Sequence, residues 1–80
     1  MNLDWKTRIS VDPAVLVGKP TIRGLRISVE HILRALSAGV PEEEILAEYP
    51  DLEAADLRAC QAYSADLIAS ERIYPISTGG

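Results

Sequence analysis

The chain has 80 residues, of which 48% are hydrophobic and 25% charged, and its formal net charge is −4. One core of this size rarely contributes more than about 3–5 kcal/mol of stability, so oligomerisation or a partner protein is expected. The single cysteine excludes an internal disulfide, and the negative net charge argues against binding nucleic acid by charge alone. No secretory signal pattern is present, and no apolar run approaches the roughly 20 residues of a membrane span. We therefore expect a soluble, cytoplasmic protein.

The charges are distributed unevenly along the chain. Residues 1–34 hold six cations against three carboxylates, whereas residues 35–80 hold two cations against nine carboxylates. The chain therefore has a basic front and an acidic back. This pattern is typical of an interaction surface and equally of two differently solvated faces, and it does not choose between them.

The chain begins with a predicted β-arm. Residues 8–12 alternate between apolar and polar, as a half-buried strand does, and Pro13 ends the pattern. Two further short strands are predicted at residues 15–17 and 22–27, with a bend or bulge at Gly24 in the second of them.

Three helices are predicted after the arm. Ser28 is suited to cap the first helix, and Gly39 is suited to end it. Pro41 marks the start of the second helix, because proline is favoured in a first turn, and Pro50 closes it. The third helix extends from Ala54 to about residue 69. Its predicted inner face holds Leu57, Cys60, Ser64, Leu67 and Ile68.

This order of elements predicts a mainly α fold, in which a trihelical helix-turn-helix core follows a short N-terminal β-arm or hairpin. Another small helical bundle would fit the pattern equally well. We expect a single domain over residues 1–80. Its predicted parts are an arm and connector (1–27), a three-helix core (28–70) and a tail (71–80).

The sequence offers little for catalysis. His31 and Cys60 are the only residues of their types, and a metal site needs several converging ligands. We expect His31 at the surface or boundary of the first helix and Cys60 in the core as a small hydrophobic residue. Gly18-Lys19 lacks the hydroxyl residue that a phosphate loop places next. We therefore expect no enzymatic activity, no cofactor, no metal and no small-molecule substrate.

DNA binding by the third helix is one candidate function. In a trihelical reader this helix enters the major groove, where Arg58 and Gln61 are the candidate base-contacting residues. Three carboxylates near its start would then face phosphates, which makes it a poor recognition helix. They are Asp51, Glu53 and Asp56.

The connector between the arm and the helices is a better candidate surface for phosphate. It holds three cations, Lys19, Arg23 and Arg26, and phosphate contacts position a protein on nucleic acid. The alternative is that these charges lie on solvated strand edges, where they prevent edge-to-edge aggregation.

One motif in the connector and the helices is specific. It is Gly18-Lys19-Pro20-x-Ile22-x-Gly24-x-Arg26-Ile27-x-Val29, followed by Gly39 to Leu46 and by Tyr49-Pro50. With residues 8–13, which fit too, the chain resembles the family called domain of unknown function 433 over about residues 8–70. The sequence departs from the family pattern at Leu25, where Thr is common, and at Glu53-Ala54, where Thr-Pro is common.

This resemblance implies a homeodomain-like core and an association with VapB-type antitoxins, which are often encoded beside a PIN-like nuclease. We therefore expect a homodimer that binds and silences a PIN-like ribonuclease toxin and also binds its own operator DNA. A stand-alone helix-turn-helix regulator and a dimeric interaction module without DNA binding are the alternatives.

The C-terminal tail is the candidate contact for the toxin. It is too apolar to favour solvent and too short to form a core alone. Packing of the tail on its own third helix, or within the dimer, is the alternative. The candidate residues are Arg72, Ile73, Tyr74 and Ile76.

Overall fold

The computed structural model describes residues 4–70, in which three helices follow a two-stranded hairpin. The elements are a 3₁₀ turn (Trp5–Thr7), strand β1 (Ile9–Val11), a second turn (Leu16–Gly18), strand β2 (Pro20–Ile22), and helices α1 (Val29–Ser37), α2 (Glu42–Glu48) and α3 (Ala54–Ser70). The two strands pair antiparallel, with Ile9 opposite Ile22. The predicted mainly α fold behind a β-hairpin is confirmed.

The hairpin differs from the sequence prediction in its second half. The strand predicted at residues 15–17 is wrong, because Leu16 and Val17 adopt φ values of 48° and 56°, in the left-handed region. β2 instead begins at Pro20 and ends before Arg23, whose φ is 49°. Strands need extended backbone, so these two left-handed stretches limit β2 to three residues.

Residues 23–27 therefore form a tight loop, and the strand predicted at residues 22–27 is wrong beyond Ile22, which ends β2. Gly24 supplies a φ of 74° at its tip, which confirms the predicted bend. The amide of Ile22 donates to the carbonyl of Ile27 across 3.1 Å, and the amide of Leu25 donates to the carbonyl of Ile22. This loop brings the chain back beside β2 and leads directly into α1.

The predicted helix ends are largely confirmed. The hydroxyl of Ser28 accepts from the amide of His31 across 3.0 Å and caps α1. Gly39 follows the end of α1 with a φ of 88°. Pro41 occupies the N-cap position of α2, one position earlier than predicted, and makes no side-chain cap hydrogen bond. Three glutamates occupy the first turn of α2.

The core lies where β2, α1 and the first half of α3 meet. Ile22, Ile32 and Leu57 are fully buried there, and Cys60 is buried with them as predicted. The second half of α3 extends past this core, so Leu67 and Ile68 are 47% and 59% exposed. The predicted inner face of α3 is therefore correct for its first half and wrong for these two residues.

One buried carboxylate joins the hairpin to α3. The side chain of Asp56 is fully buried, and it accepts hydrogen bonds from Arg8 and Arg23, each with a contact of 2.9 Å. Its Oδ2 also accepts from the amide of Glu53 across 2.8 Å, which caps the start of α3. The prediction that Asp56 would face DNA phosphates is wrong, because both of its oxygens point into the protein.

We call Arg8, Arg23 and Asp56 the Asp56 cluster. Arg8 precedes β1 and Arg23 follows β2, so the cluster fixes the open end of the hairpin on α3. Burial alone would raise the pKa of Asp56, but the hydrogen bonds from Arg23, the Glu53 amide and Arg8 outweigh it, and the pKa lies below its ordinary value. Asp56 is therefore ionised at neutral pH and stabilises the fold in that form.

Asp56→Asn is expected to lower the free energy of unfolding by about 3 kcal/mol at neutral pH. This is the lower end of the range for breaking a buried ion pair, because both arginines also reach solvent. Glu53→Gln is the matched control. It removes the ion pair between Arg8 and Glu53, and the Glu53 side chain is 64% exposed. The free energy of unfolding should therefore fall by less than about 1 kcal/mol. Urea unfolding measures both, and equal losses would contradict a special role for Asp56.

The stability should also fall in acid. Because the pKa of Asp56 is depressed in the folded state, its contribution is complete above the unfolded pKa of about 3.9. The contribution is lost as the pH falls through the lower, folded pKa. Urea midpoints measured from pH 7 to pH 2 should decline below about pH 4, and Asp56→Asn should decline less steeply.

Candidate functional site

Three of the cations predicted to contact DNA bind carboxylates of the same chain. Lys19 Nζ lies 3.2 Å from Glu30 of α1, and Arg58 Nη1 lies 2.6 Å from Glu42 of α2. Arg23 belongs to the Asp56 cluster and also donates to the carbonyl oxygen of Asp51. Each cation is thus directed to a different element, and the structure does not gather the three into one basic patch.

Arg26 and Gln61 are the two remaining candidates from the sequence. Arg26 is exposed and makes no ion pair with any residue between 4 and 70. It borders a depression of about 250 Å³ that His31 and Tyr49 also line, with His31 Nε2 lying 2.8 Å from the Tyr49 hydroxyl. Gln61 is exposed on α3. His31 is exposed as predicted.

The start of α3 is less acidic toward solvent than the sequence suggests. Asp56 is buried against two arginines, and Glu53 is bound to Arg8 across 2.8 Å. Arg58 is bound to Glu42. Both the repulsion and the attraction expected between α3 and a phosphate backbone are therefore smaller than the charge pattern predicts.

An apolar groove separates α1 from the projecting half of α3. Its volume is about 420 Å³, and most of its wall is apolar. Val29 and Leu33 form the side contributed by α1, and Tyr63 and Leu67 form the side contributed by α3. A cleft of this size with mainly apolar walls is typical of binding sites. We call this feature the α1–α3 groove.

The other side of the projecting α3 segment is covered by the N-terminal turn. The ring of Trp5 packs edge-on against Tyr63, with centroids 4.8 Å apart, and its indole nitrogen donates to Asp66 across 2.6 Å. These contacts hold the second half of α3 in place although it extends past the core. The α1–α3 groove is consequently an open side of this segment.

Charged side chains of both signs line the rim of the α1–α3 groove. Glu30 and Arg34 lie one helical turn apart on α1 and contact each other across 3.0 Å. Hydrogen bonds from Arg34 and then Lys19 hold the pKa of the Glu30 carboxyl below its ordinary value. The rim is therefore a fixed pattern of opposite charges beside an apolar wall.

The described part of the chain shows no metal-binding or membrane-spanning feature. Across residues 4–70, no group of three or more His, Cys, Asp or Glu side chains is placed to hold a metal ion. No helix in the same range has the length and apolar character to cross a membrane.

Burial raises the pKa of the Cys60 thiol to about 12, and the nearby charge of Asp56 adds to the shift.

The predicted toxin contact lies outside the described residues. Arg72, Ile73, Tyr74 and Ile76 follow α3 in the sequence, and the last described residue is Ser70. Ser70 is exposed, and the exposed apolar residues Leu67 and Ile68 lie within one helical turn before it.

Two features of the site were missed by sequence reasoning, although each has a local signal. Glu53 and Asp56 have the spacing of a capping box, in which an acidic side chain accepts the amide three residues before it. Glu30 and Arg34 have the i,i+4 spacing of a helical ion pair. Neither signal indicates the long-range partners Arg8, Lys19 and Arg23, which come from the hairpin and the residues beside its strands.

Comparison with known proteins places the chain beside one family. The model of the family described as "Protein of unknown function (DUF433)" matches residues 9–64. A crystal structure of a DUF433 member protein from Anabaena variabilis ATCC 29413 is similar at 37% identity with a TM-score of 0.70. The match covers 74% of this chain and 58% of that chain, so this chain spans little more than half of its neighbour's length. No curated protein matches.

The Cys60 thiol is expected to be unreactive in the folded protein. It is fully buried, and with a pKa of about 12 almost none of it is thiolate at pH 8. Reaction with Ellman's reagent at pH 8 should be slow in buffer and complete within minutes in denaturing urea. Equal rates in both solutions would show that Cys60 is accessible and would contradict the described core.

Proposed function

The chain belongs to the DUF433 family, and from that premise we propose that it is an antitoxin-like protein that neutralises a PIN-like ribonuclease toxin by direct binding. The association with VapB-type antitoxins that the family resemblance implies supplies the class of partner. In this proposal the protein is a cytoplasmic homodimer without enzymatic activity, and it regulates its own operon through a secondary contact with DNA.

The observation that carries the proposal is a contrast between the charged and the apolar surfaces. Lys19, Arg23 and Arg58 are bound to carboxylates of their own chain, so a phosphate backbone would have to compete with existing ion pairs. Leu67 and Ile68 are exposed at the end of α3. Exposed apolar side chains are covered by proteins more favourably than by nucleic acid.

The tail supplies chemistry that suits a nuclease. Ile73, Tyr74 and Ile76 continue the apolar character of the α3 end, and Arg72 stands beside them. A PIN-like nuclease needs clustered carboxylates to hold Mg²⁺ or Mn²⁺. A tail with one cation and several apolar residues can block such a site sterically and direct a positive charge toward its carboxylates.

DNA binding without a toxin is the second candidate function. Two observations favour it: the trihelical arrangement, and the exposure of Arg26 and Gln61 without an ion pair or a side-chain hydrogen bond among the residues described. In this alternative Arg26 contacts phosphate and Gln61 contacts a base edge. The contacts would be few, so affinity should be low at physiological salt.

Truncation after Ser70 is expected to abolish neutralisation of the toxin and to leave the fold intact. The truncated chain keeps the whole described core, whereas it loses all four candidate contact residues. Truncation after Ile76 is the matched control, because it removes only Ser77 to Gly80. The measurement is cleavage of RNA by the PIN-like protein encoded beside this gene, with circular dichroism to monitor folding. Neutralisation by the shorter chain would refute the tail contact.

If the chain binds operator DNA, Arg26→Ala should weaken binding and Arg58→Ala should have a smaller effect. Arg26 has no carboxylate partner in the described range, while Arg58 is already bound to Glu42. The slope of log K against log salt should decrease by about 0.9 when one phosphate contact is lost. Fluorescence anisotropy over a salt series measures this slope. If the slope is unchanged in Arg26→Ala, Arg26 makes no phosphate contact, and the connector is not assigned to the DNA interface.

A further inference from the structure

We infer that the α1–α3 groove is the contact between two copies of this chain, related by a two-fold axis. The inference assigns a place and a geometry to the expected homodimer. It depends on the groove and its rim, and it would stand even if no toxin were bound.

The monomer leaves apolar surface open along the α1–α3 groove. Leu33 is half-buried on one wall, Tyr63 is half-buried and Leu67 is 47% exposed on the other. The α3 segment from residue 63 to residue 70 is about 12 Å long at 1.5 Å per residue, and on its groove side Tyr63 and Leu67, with Ser64 between them, form a short strip. A second helix pair laid against this strip would bury it and enlarge a core that is small for a stable domain.

The charge pattern on the rim of the groove is complementary to its own two-fold image. In a two-fold contact, residue i of one copy meets residue j of the other, and j meets i. Glu30 and Arg34 lie one turn apart on α1. When two α1 helices pack antiparallel, Glu30 of each copy can face Arg34 of the other, and both opposite-charge contacts form at once.

The rim also argues against other occupants. A phosphate backbone or an acidic protein segment would meet Glu30, and a basic one would meet Arg34 on the same rim. Exposed ion pairs contribute little affinity. The apolar walls therefore provide most of the binding, while Glu30 and Arg34 fix the register and exclude wrong partners.

This assembly covers Leu67 and leaves the other surfaces of the proposed function accessible. Ile68 is exposed but does not line the groove, and Arg26 borders a separate depression with His31 and Tyr49. The toxin contact and the operator contact would each be present twice, once per copy.

Charge reversal across the interface tests the inference with the full chain. Light scattering after size exclusion should show a dimer, and Glu30→Lys or Arg34→Glu alone should weaken dimerisation about tenfold or more, because each replaces two attractive contacts by two repulsive ones. The double variant Glu30→Lys/Arg34→Glu should restore it. A mixture of the two single variants should form heterodimers, detected by native mass spectrometry. Glu48→Lys is the control, since Glu48 is exposed on α2 outside the groove.

A matched pair of apolar substitutions tests the walls. Leu67→Asp should give a monomer, whereas Ile68→Asp should remain a dimer, because both residues are exposed on α3 and only Leu67 lines the groove. Circular dichroism and urea unfolding establish that each variant is folded, and the charge variants decide the question if Leu67→Asp is not.

Several outcomes would overturn the inference. At about 200 µM a dimer with a micromolar dissociation constant would be almost fully formed. A chain that is still monomeric at that concentration has no such dimer. A dimer that is unaffected by Leu67→Asp and by both charge reversals uses another surface. A monomer that dimerises only after truncation at Ser70 has its own tail in the groove. None of these measurements contains the nuclease, so their failure is separate from failure of the antitoxin proposal.

Discussion

The buried carboxylate of Asp56 is the interaction on which the rest of this structure depends. A two-stranded hairpin of three-residue strands is not stable alone, and here its open end is fixed because Arg8 and Arg23 both bind Asp56. The same carboxylate accepts the amide of Glu53 and begins α3. A charge without water must be fully paired to be tolerated. The cluster meets this requirement, and it sets the angle at which the hairpin and the connector meet the helices.

The position of this cluster changes the meaning of the charge pattern. The basic front of the chain suggests a surface for phosphate, yet Arg8 and Arg23 neutralise Asp56, Lys19 binds Glu30, and Arg58 binds Glu42. These cations are thus neutralised by carboxylates within the molecule, and Arg8 and Arg23 join the front of the chain to the back. Arg26 and the apolar side chains at the end of α3 remain outside these pairs and exposed, and this exposure supports the proposed protein partner.

Helix α3 is divided between two tasks. Its first half contributes Leu57 and Cys60 to the core, and its second half is held by Trp5 on one side and open to the α1–α3 groove on the other. A helix that continues past its own core presents apolar surface that a small domain cannot bury by itself. The proposed homodimer and the proposed nuclease contact both follow from this one excess of length, and they use different sides of the same segment.

The sequence by itself determined the helices, because their ends are set by neighbouring residues. Ser28 caps α1, Gly39 allows the left-handed turn after it, and Pro41 directly precedes α2. The hairpin was predicted only in outline, since Leu16 and Val17 have extended propensities but left-handed backbone. Only the tertiary structure decided the site. Asp56 finds its partners 33 and 48 residues away, and whether a charged or apolar side chain is buried, paired or exposed depends on such distant contacts, which no local pattern contains.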